Sequence, residues 1–213
     1  HEVASVLWES HESTASVKML RDTLRSSDFE QQDITVGRSD VLAQLGKQLA
    51  DARLEKPSDI LENYLRPAIS HLPKNAVGRE AGRVYHAFAA FCDQQLQHPA
   101  NVEDYNRIAT LRQRKLEEVQ GLHELMKGTK RATEKKEHER SFVKAQSWFK
   151  LDDEEFQHQK KSRETFLQQS LQNYLLALQA SDEHDLSVLR FFALWLESSE
   201  SEPANAAVNK YLP

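Results

Sequence analysis

The chain has 213 residues, 39% apolar and 29% charged, with a formal net charge of −5. That charge gives no general drive toward nucleic acid. No apolar run approaches the ~20 residues needed to cross a bilayer, and the first residues lack a secretion-signal pattern. With 6 Gly and 6 Pro, few hairpin turns are available, and alternating Val/Ile/Thr runs are absent. Leu, Ala, Gln, Glu, Lys and Arg dominate, the straight-chain residues that lose little freedom in a helix. The fold class is therefore all-α. The single Cys92 excludes an internal disulfide and fits a reducing compartment. A start at His1 and a stop at Pro213, just after an apolar turn, read as a piece of a longer protein.

In chain order, the spacing predicts a short helix over 3–10, a turn at His11-Glu12-Ser13, and a second helix to about Leu24 capped by Ser13 or Thr14. A polar loop containing Gly37 follows. Ser39 or Asp40 then caps a helix from Val41 to about Arg53, which Lys56-Pro57-Ser58-Asp59 breaks. The next helix covers 60–71, with Pro67 kinking or shortening it. Another runs from about Gly78 to Leu96.

The first helices of these pairs superimpose. Leu42-x2-Leu45-Gly46-x2-Leu49 has the spacing of a tetratricopeptide first helix, and Tyr85-x2-Phe88-Ala89-x2-Cys92 repeats it. Ala4-x2-Leu7-Trp8-x2-His11 is a poorer copy, with Trp where a small residue is expected. Leu189-x2-Phe192-Ala193-x2-Leu196 gives a fourth. Second helices show Ala15-x3-Met19 and Ala207-x3-Tyr211. Helices crossing at close range need a small residue at the crossing and large ones beside it. The expected structural residues are thus Trp8, Gly46, Phe88, Leu189, Phe192, Ala193 and Trp195. Starts at 4, 42, 85 and 189 leave too long a last gap, so the repeats are divided by an insertion. The organisation expected is helical pairs over 1–100, an inserted arm over 101–180, and a resumed pair over 181–213.

The insertion reads as two long helices. Tyr105, Ile108, Leu111, Leu116, Val119, Leu122 and Met126 form one drifting apolar face. After Gly128-Thr129, a second helix runs from about Glu134 to Ala180. Phe142, Phe149 and Phe156 are spaced by seven, a coiled-coil-like seam that Asp152 and Arg163 interrupt. At 1.5 Å per residue the two helices are about 39 and 70 Å long. They are expected to form an antiparallel hairpin, with the surplus of the second running back over the repeats or a kink near Leu151-Asp152-Asp153. The tip, near 127–136, is basic through Lys127, Lys130, Arg131, Lys135, Lys136 and Arg140. Such a run is usually a solvated face, and otherwise a contact for an acidic surface or a phosphate backbone. No aromatic residue is interleaved to stack on bases.

No catalytic, cofactor-binding or metal-ligating residue emerges. His-Glu occurs at 1, 11, 123 and 138, but the position four residues after each His holds Ser5, Ala15, Lys127 and Phe142 rather than the second His of a zinc protease. The stretch Val77–Gly82 lacks the Lys-Ser/Thr of a phosphate loop, and kinase motifs are absent. Cys92 falls on an apolar face and reads as core. The run Asp182-Glu183-His184-Asp185 diverges around a helix and cannot converge on one metal. Ser181 or Asp182 reads instead as a helix cap, favoured by the macrodipole.

Asp182-Glu183-His184-Asp185, Arg190 and Leu194-Trp195-Leu196-Glu197 together resemble the FAT region of ATM-type kinases, members of the phosphatidylinositol-3-kinase-related protein kinases. The N-terminal stretch EVASVLWESHESTASVKMLRDTL is similar to the family's first helical pair, and the chain ends on Asn-Lys-Tyr-Leu-Pro. The resemblance is sharp at 1–24 and 182–213 and one of pattern between. It implies a tetratricopeptide-like solenoid unit, the third of a collar around the kinase domain. The parent would be a nuclear serine/threonine kinase that uses ATP and Mg, signals DNA double-strand breaks and, in fungi, maintains telomeres. The partners implied are the kinase domain and neighbouring repeats of the same chain, and a homodimer partner that the arm reaches. Membrane contact is not expected, nor direct nucleic-acid contact. The residues alone also allow a free-standing repeat adaptor, binding peptides in a groove lined by polar side chains of the first helices.

Overall fold

The computed structural model describes residues 2–26, 35–181, 185–198, 201–202 and 204–205. Among them there is no strand, and no helix is long and apolar enough to cross a membrane. The chain divides into two compact units. One comprises 1–94 with 166–213, and the other 95–165.

The first unit starts with α1 (Glu2–Glu9) and α2 (Ser13–Arg25). The chain reverses between them at His11, whose φ of 64° lies in the left-handed region. Ser13 lies inside α2. The N-cap is Glu12, which makes no side-chain cap hydrogen bond, so neither Ser13 nor Thr14 caps it. Buried Ser16 at the crossing donates its hydroxyl to the Ala4 carbonyl, 2.6 Å away.

Helix α3 runs Thr35–Asp51, beginning six residues before the expected start. Gly37 is therefore helical. Its cost of about 1 kcal/mol relative to alanine is outweighed by the packing of the helix that follows. Ser39 and Asp40 are buried inside the helix rather than capping it, because the Asp40 carboxylate is held by Arg83 through Nε at 3.0 Å and Nη2 at 2.6 Å. The helix ends at Asp51 and is closed by Arg53, at φ 54°, where Leu54 N–H reaches the Leu49 carbonyl and Arg53 N–H that of Ala50. This is a Schellman closure made without glycine.

The helical segment runs on through Pro67, the expected point of a kink or early stop, to Ser70. The segment is α4 (Pro57–Ile60), a π-helical turn Leu61–Leu65, and α5 (Arg66–Ser70). Arg66 N–H bonds five residues back to the Leu61 carbonyl. A proline ring crowds the carbonyl four residues before it and offers no N–H. The wider π turn immediately upstream absorbs that mismatch while Leu61, Leu65 and Ala68 stay buried.

Helix α6 (Arg79–Gln97) is deeply buried, with Val84, Phe88, Ala89, Phe91 and Cys92 all in the core. The C-terminal part of α8 (Ala132–Ala180) packs antiparallel to it. Gly78 N–H bonds the Ala180 carbonyl at 2.7 Å, and Ser170 Oγ the Ala89 carbonyl at 3.0 Å. The surplus of the long helix thus belongs to the repeat unit, and the inserted unit ends at 165 rather than at the expected 180.

Helix α9 (Asp185–Glu197) does not follow the expected register. Leu189 is 69% exposed, Phe192 46% and Leu196 67%, whereas Phe191 and Leu194 are buried. The reason is rotational: Arg190 pairs with Asp93 of α6, which turns the 190–191–194 side inward. Trp195 is half-buried against Ala89, Leu171, Phe191 and Leu194, and its indole N–H is buried without a partner. Asp182 and the Ala207–Tyr211 step lie outside the described residues.

The second unit contains α7 (Pro99–Gly128) and the first part of α8. Tyr105 faces Phe156, Arg112 faces Asp153, and His123 faces Phe142. One number falls as the other rises, so the pair is antiparallel. Leu151, Asp152 and Asp153 are helical without a break.

Gly46 gives a test of the crossing. A Cβ there would lie 2.9 Å from Leu65 Cδ2 and 3.1 Å from Tyr64 Cβ, and Leu65 is fully buried with nowhere to retreat. On an open helix face Gly→Ala stabilises by about 1 kcal/mol. Here overpacking of about 1–3 kcal/mol opposes it, so Gly46→Ala is expected to lower the melting temperature. A raised value would refute the close crossing.

Candidate functional site

Three places gather polar chemistry. The first is the turn Thr129–Arg131 between α7 and α8 with its flanks. Lys127, Lys130, Arg131, Lys135, Lys136 and Arg140 are all exposed. Two of them have local partners: Lys127 Nζ lies 2.9 Å from Glu124, and Arg131 Nη1 3.1 Å from Glu134. The Lys127 ammonium lowers the pKa of the Glu124 carboxyl. Lys127 also sits at the negative end of α7, and Glu134 at the positive start of α8, where each charge is favoured. Lys130, Lys135, Lys136 and Arg140 make no ion pair with any described residue. Six basic against three acidic side chains over 127–140 leave a cationic tip with four cations available.

Behind the tip, the hairpin seam is held by cations over rings. Arg112 lies 4.9 Å from the Phe156 centroid and 5.7 Å from that of Phe149, while its Nε pairs with Asp153. Arg163 stands 5.0 Å over Tyr105 and donates to the Leu96 carbonyl at 3.3 Å. Arg163, which interrupts the apolar seven-residue spacing, is thus one of its contacts. Arg-aromatic contacts contribute about 0.5–1 kcal/mol each when exposed. Only Ile108 and Ala145 are buried apolar residues in this unit.

The second place is Asp93 in α6. Arg190 grips both its carboxylate oxygens, and Tyr174 Oη donates to Oδ2 at 3.3 Å. Burial first, then the Asp93 charge, push the Tyr174 phenol above its usual range. Neighbouring Cys92 is fully buried, and burial pushes its thiol up to about 12. Neither group has access to substrate, and the cluster is structural.

The third place is a cleft of 260 Å³ across the first helices of the three pairs, walled by Trp8 of α1, Gln44, Lys47 and Gln48 of α3, and Arg83 and His86 of α6. Of the remaining structural residues, Phe88 is core and Trp8 packs against the same cluster. A polar groove along the first helices was among the expectations of the sequence, whereas the two long-range ion pairs, Asp40–Arg83 and Asp93–Arg190, were missed. The partners stand 43 and 97 positions apart, beyond the reach of any local spacing rule.

With this geometry in view, the comparisons are informative. No protein-family model matches the chain. Serine/threonine-protein kinase tel1 of Emericella nidulans is 46% identical over 213 residues, covering 99% of the chain and 8% of that protein. The serine-protein kinase ATM of the pig is 27% identical over 224 residues, covering 98% of the chain and 7% of that kinase. The homologues of this chain are fungal Tel1 kinases, of the ATM type. A solved structure described as the FAT and kinase domain of CtTel1 superimposes with a TM-score of 0.83 at 41% identity, covering 99% of the chain and 14% of that chain. The complete CtTel1 dimer with C2 symmetry gives 0.82 at 41%, with 99% and 7% covered. What is matched in Tel1 is the helical FAT segment and not the catalytic domain. The chain spans about a twelfth of the length of the Tel1 proteins it resembles.

The buried thiol and phenol fix a pH response of this Tel1-like segment. A raised folded-state pKa means the folded state keeps its proton while the unfolded chain loses it. Stability is therefore complete below about pH 9 and falls as pH rises toward 12. Chemical denaturation from pH 7 to 11 is expected to show that loss, and iodoacetamide at neutral pH to label Cys92 only after denaturation. Rapid labelling of the folded chain would contradict the burial.

Proposed function

We propose that this chain is a non-catalytic scaffold segment of an ATM-type kinase, embracing the kinase domain and contributing to dimerisation and regulation through the hairpin tip. The observation that carries it is the 41% identical match of 99% of the chain to the FAT and kinase domain of CtTel1. A chain matched along its whole length to a helical segment, with its buried ionisable groups engaged with one another, has shape and surface to offer rather than a reaction. The parent kinase would use ATP and Mg in its own catalytic domain, act in the nucleus, signal double-strand breaks and maintain telomeres. The solved Tel1 dimer, which contains a segment of this shape, supports a homodimeric parent.

Lys130, Lys135, Lys136 and Arg140 are the groups suited to an acidic surface on a neighbouring body. Being exposed, they act through long-range attraction, which salt screens over about 8–10 Å. Reversing the charge of Lys130, Arg131, Lys135 and Lys136 in the full-length kinase is expected to change basal phosphorylation of a peptide substrate, or to shift the mass distribution from dimer toward monomer. The wild-type effect should weaken with added salt. Unchanged activity and unchanged mass would remove the tip from the regulatory role.

A further inference from the structure

Lys130 and Arg131 lead directly into an exposed hydroxyl at the start of α8. We propose that this hydroxyl, on Thr133, is a phosphorylation site for a basophilic serine/threonine kinase, and that its phosphate lowers the positive charge of the tip. The consequence of that charge change rests on the reading of the tip as a contact for an acidic surface; the site itself does not.

The first observation that selects Thr133 is spacing. In Gly128-Thr129-Lys130-Arg131-Ala132-Thr133, two cations stand three and two positions before the hydroxyl. A kinase groove lined with carboxylates reads cations at such positions, Arg through paired N–H bonds. Lys130 has no ion pair with any described residue, and Arg131 has an exposed one with Glu134, a type of contact that is easily exchanged.

The second observation is the backbone. A substrate must lie extended across a kinase's catalytic cleft. Thr129 is already extended, at φ −82° and ψ 119°, and 129–131 lie outside both helices. Thr133 is the second residue of α8. Its own N–H and that of Ala132 have no acceptor within the helix, and the ladder begins with Lys135 N–H to the Arg131 carbonyl at 3.0 Å. Freeing Thr133 therefore unwinds one exposed terminal turn, the part of a helix that opens most readily. Ser141 and Ser162 also follow basic residues, but they lie well inside α8, where extension would break the helix on both sides. The third observation is the hydroxyl. Thr110, Thr129 and Thr165 each donate to the carbonyl four residues back. For Thr133 that residue is Thr129, outside the helix, so its hydroxyl lacks the usual intrahelical acceptor.

In the transfer, Thr133 Oγ1 attacks the γ-phosphorus of ATP held with Mg on the modifying kinase. The Oγ1–P bond forms as the bond from that phosphorus to the β–γ bridging oxygen breaks. ADP leaves, and the hydroxyl proton passes to the modifying kinase's catalytic carboxylate. Six basic and three acidic side chains over 127–140 leave a net +3, and the roughly −1.5 to −2 charges of a phosphothreonine reduce it to about +1. Negative charge in the first turn also suits the helix dipole, so α8 can re-form around the product.

The test incubates the full-length kinase with Mg·ATP, with and without the catalytic subunit of cyclic-AMP-dependent protein kinase as the basophilic probe. Cleavage after Glu124 and Glu134 releases the 125–134 fragment, which holds Thr129 and Thr133, and mass spectrometry reads its phosphorylated share. The probe is expected to phosphorylate most of it. Thr133→Val should abolish that signal and Thr129→Val should leave it intact, while Arg131→Gln slows it about tenfold. No incorporation, incorporation that survives Thr133→Val, or an unchanged rate in Arg131→Gln would overturn the site. Basal phosphorylation of a peptide substrate and the dimer mass distribution are then measured after removal of the probe. The phosphorylated protein is expected to shift in the same direction as reversal of Lys130, Arg131, Lys135 and Lys136, and probe-treated Thr133→Val is not. If the reversal shifts them and the phosphate does not, the switch is overturned and the reading of the tip stands; if neither does, both fall.

Discussion

The carboxylate of Asp93 is the point on which the repeat unit depends. It is buried in α6, where an ionised group is tolerated only if paired and hydrogen-bonded. Both of its partners come from beyond the insertion, Tyr174 near the end of α8 and Arg190 in α9. Such a pair adds little net stability compared with an apolar replacement, yet removing one partner leaves a buried charge and costs about 3–5 kcal/mol. Its effect is therefore on specificity. It sets where the chain must return after the inserted hairpin, and how α9 is rotated when it gets there.

That constraint explains where the sequence was readable and where it was not. Leu42, Leu45, Gly46 and Leu49, and likewise Tyr85, Phe88, Ala89 and Cys92, show their buried faces in their spacing, because each belongs to an amphipathic helix with one wet side. In α9 almost every position from Leu186 to Leu196 is apolar or aromatic, so periodicity cannot choose a face. The choice falls to Arg190, the one charged residue in that run, whose partner is 97 positions away. The same limit hid the role of Asp40. A carboxylate near a helix start reads as a cap, and only Arg83 across the core shows that it lies more than a turn inside.

The hairpin was legible as two helices and as a seam, but not in its chemistry. Of the two residues that look like faults in the apolar seam, Asp152 and Arg163, the second is a contact of it, covering a tyrosine. Asp153, next to the first, is gripped by Arg112, which joins that carboxylate to two phenylalanine rings. Long Arg side chains lay their stems along apolar surface and keep their charge near water. A seam built this way buries little, so the hairpin persists as a pair of helices without the thick core of the repeat unit. Local ion pairs such as Lys115–Glu118 and Lys160–Glu164 supplement it along the exposed faces.

The distribution of ionisable groups then separates structure from function. Those in the core, Asp40, Asp93 and Cys92, are engaged or shut away, and the protein gains a fixed geometry from them. Those able to meet another molecule lie at the surface, at the hairpin tip and along the three first helices. The tip offers unpaired cations on a solvated turn, suited to attraction at a distance and sensitive to salt. The cleft offers amide groups, one indole and a lysine paired with the carboxylate one turn on.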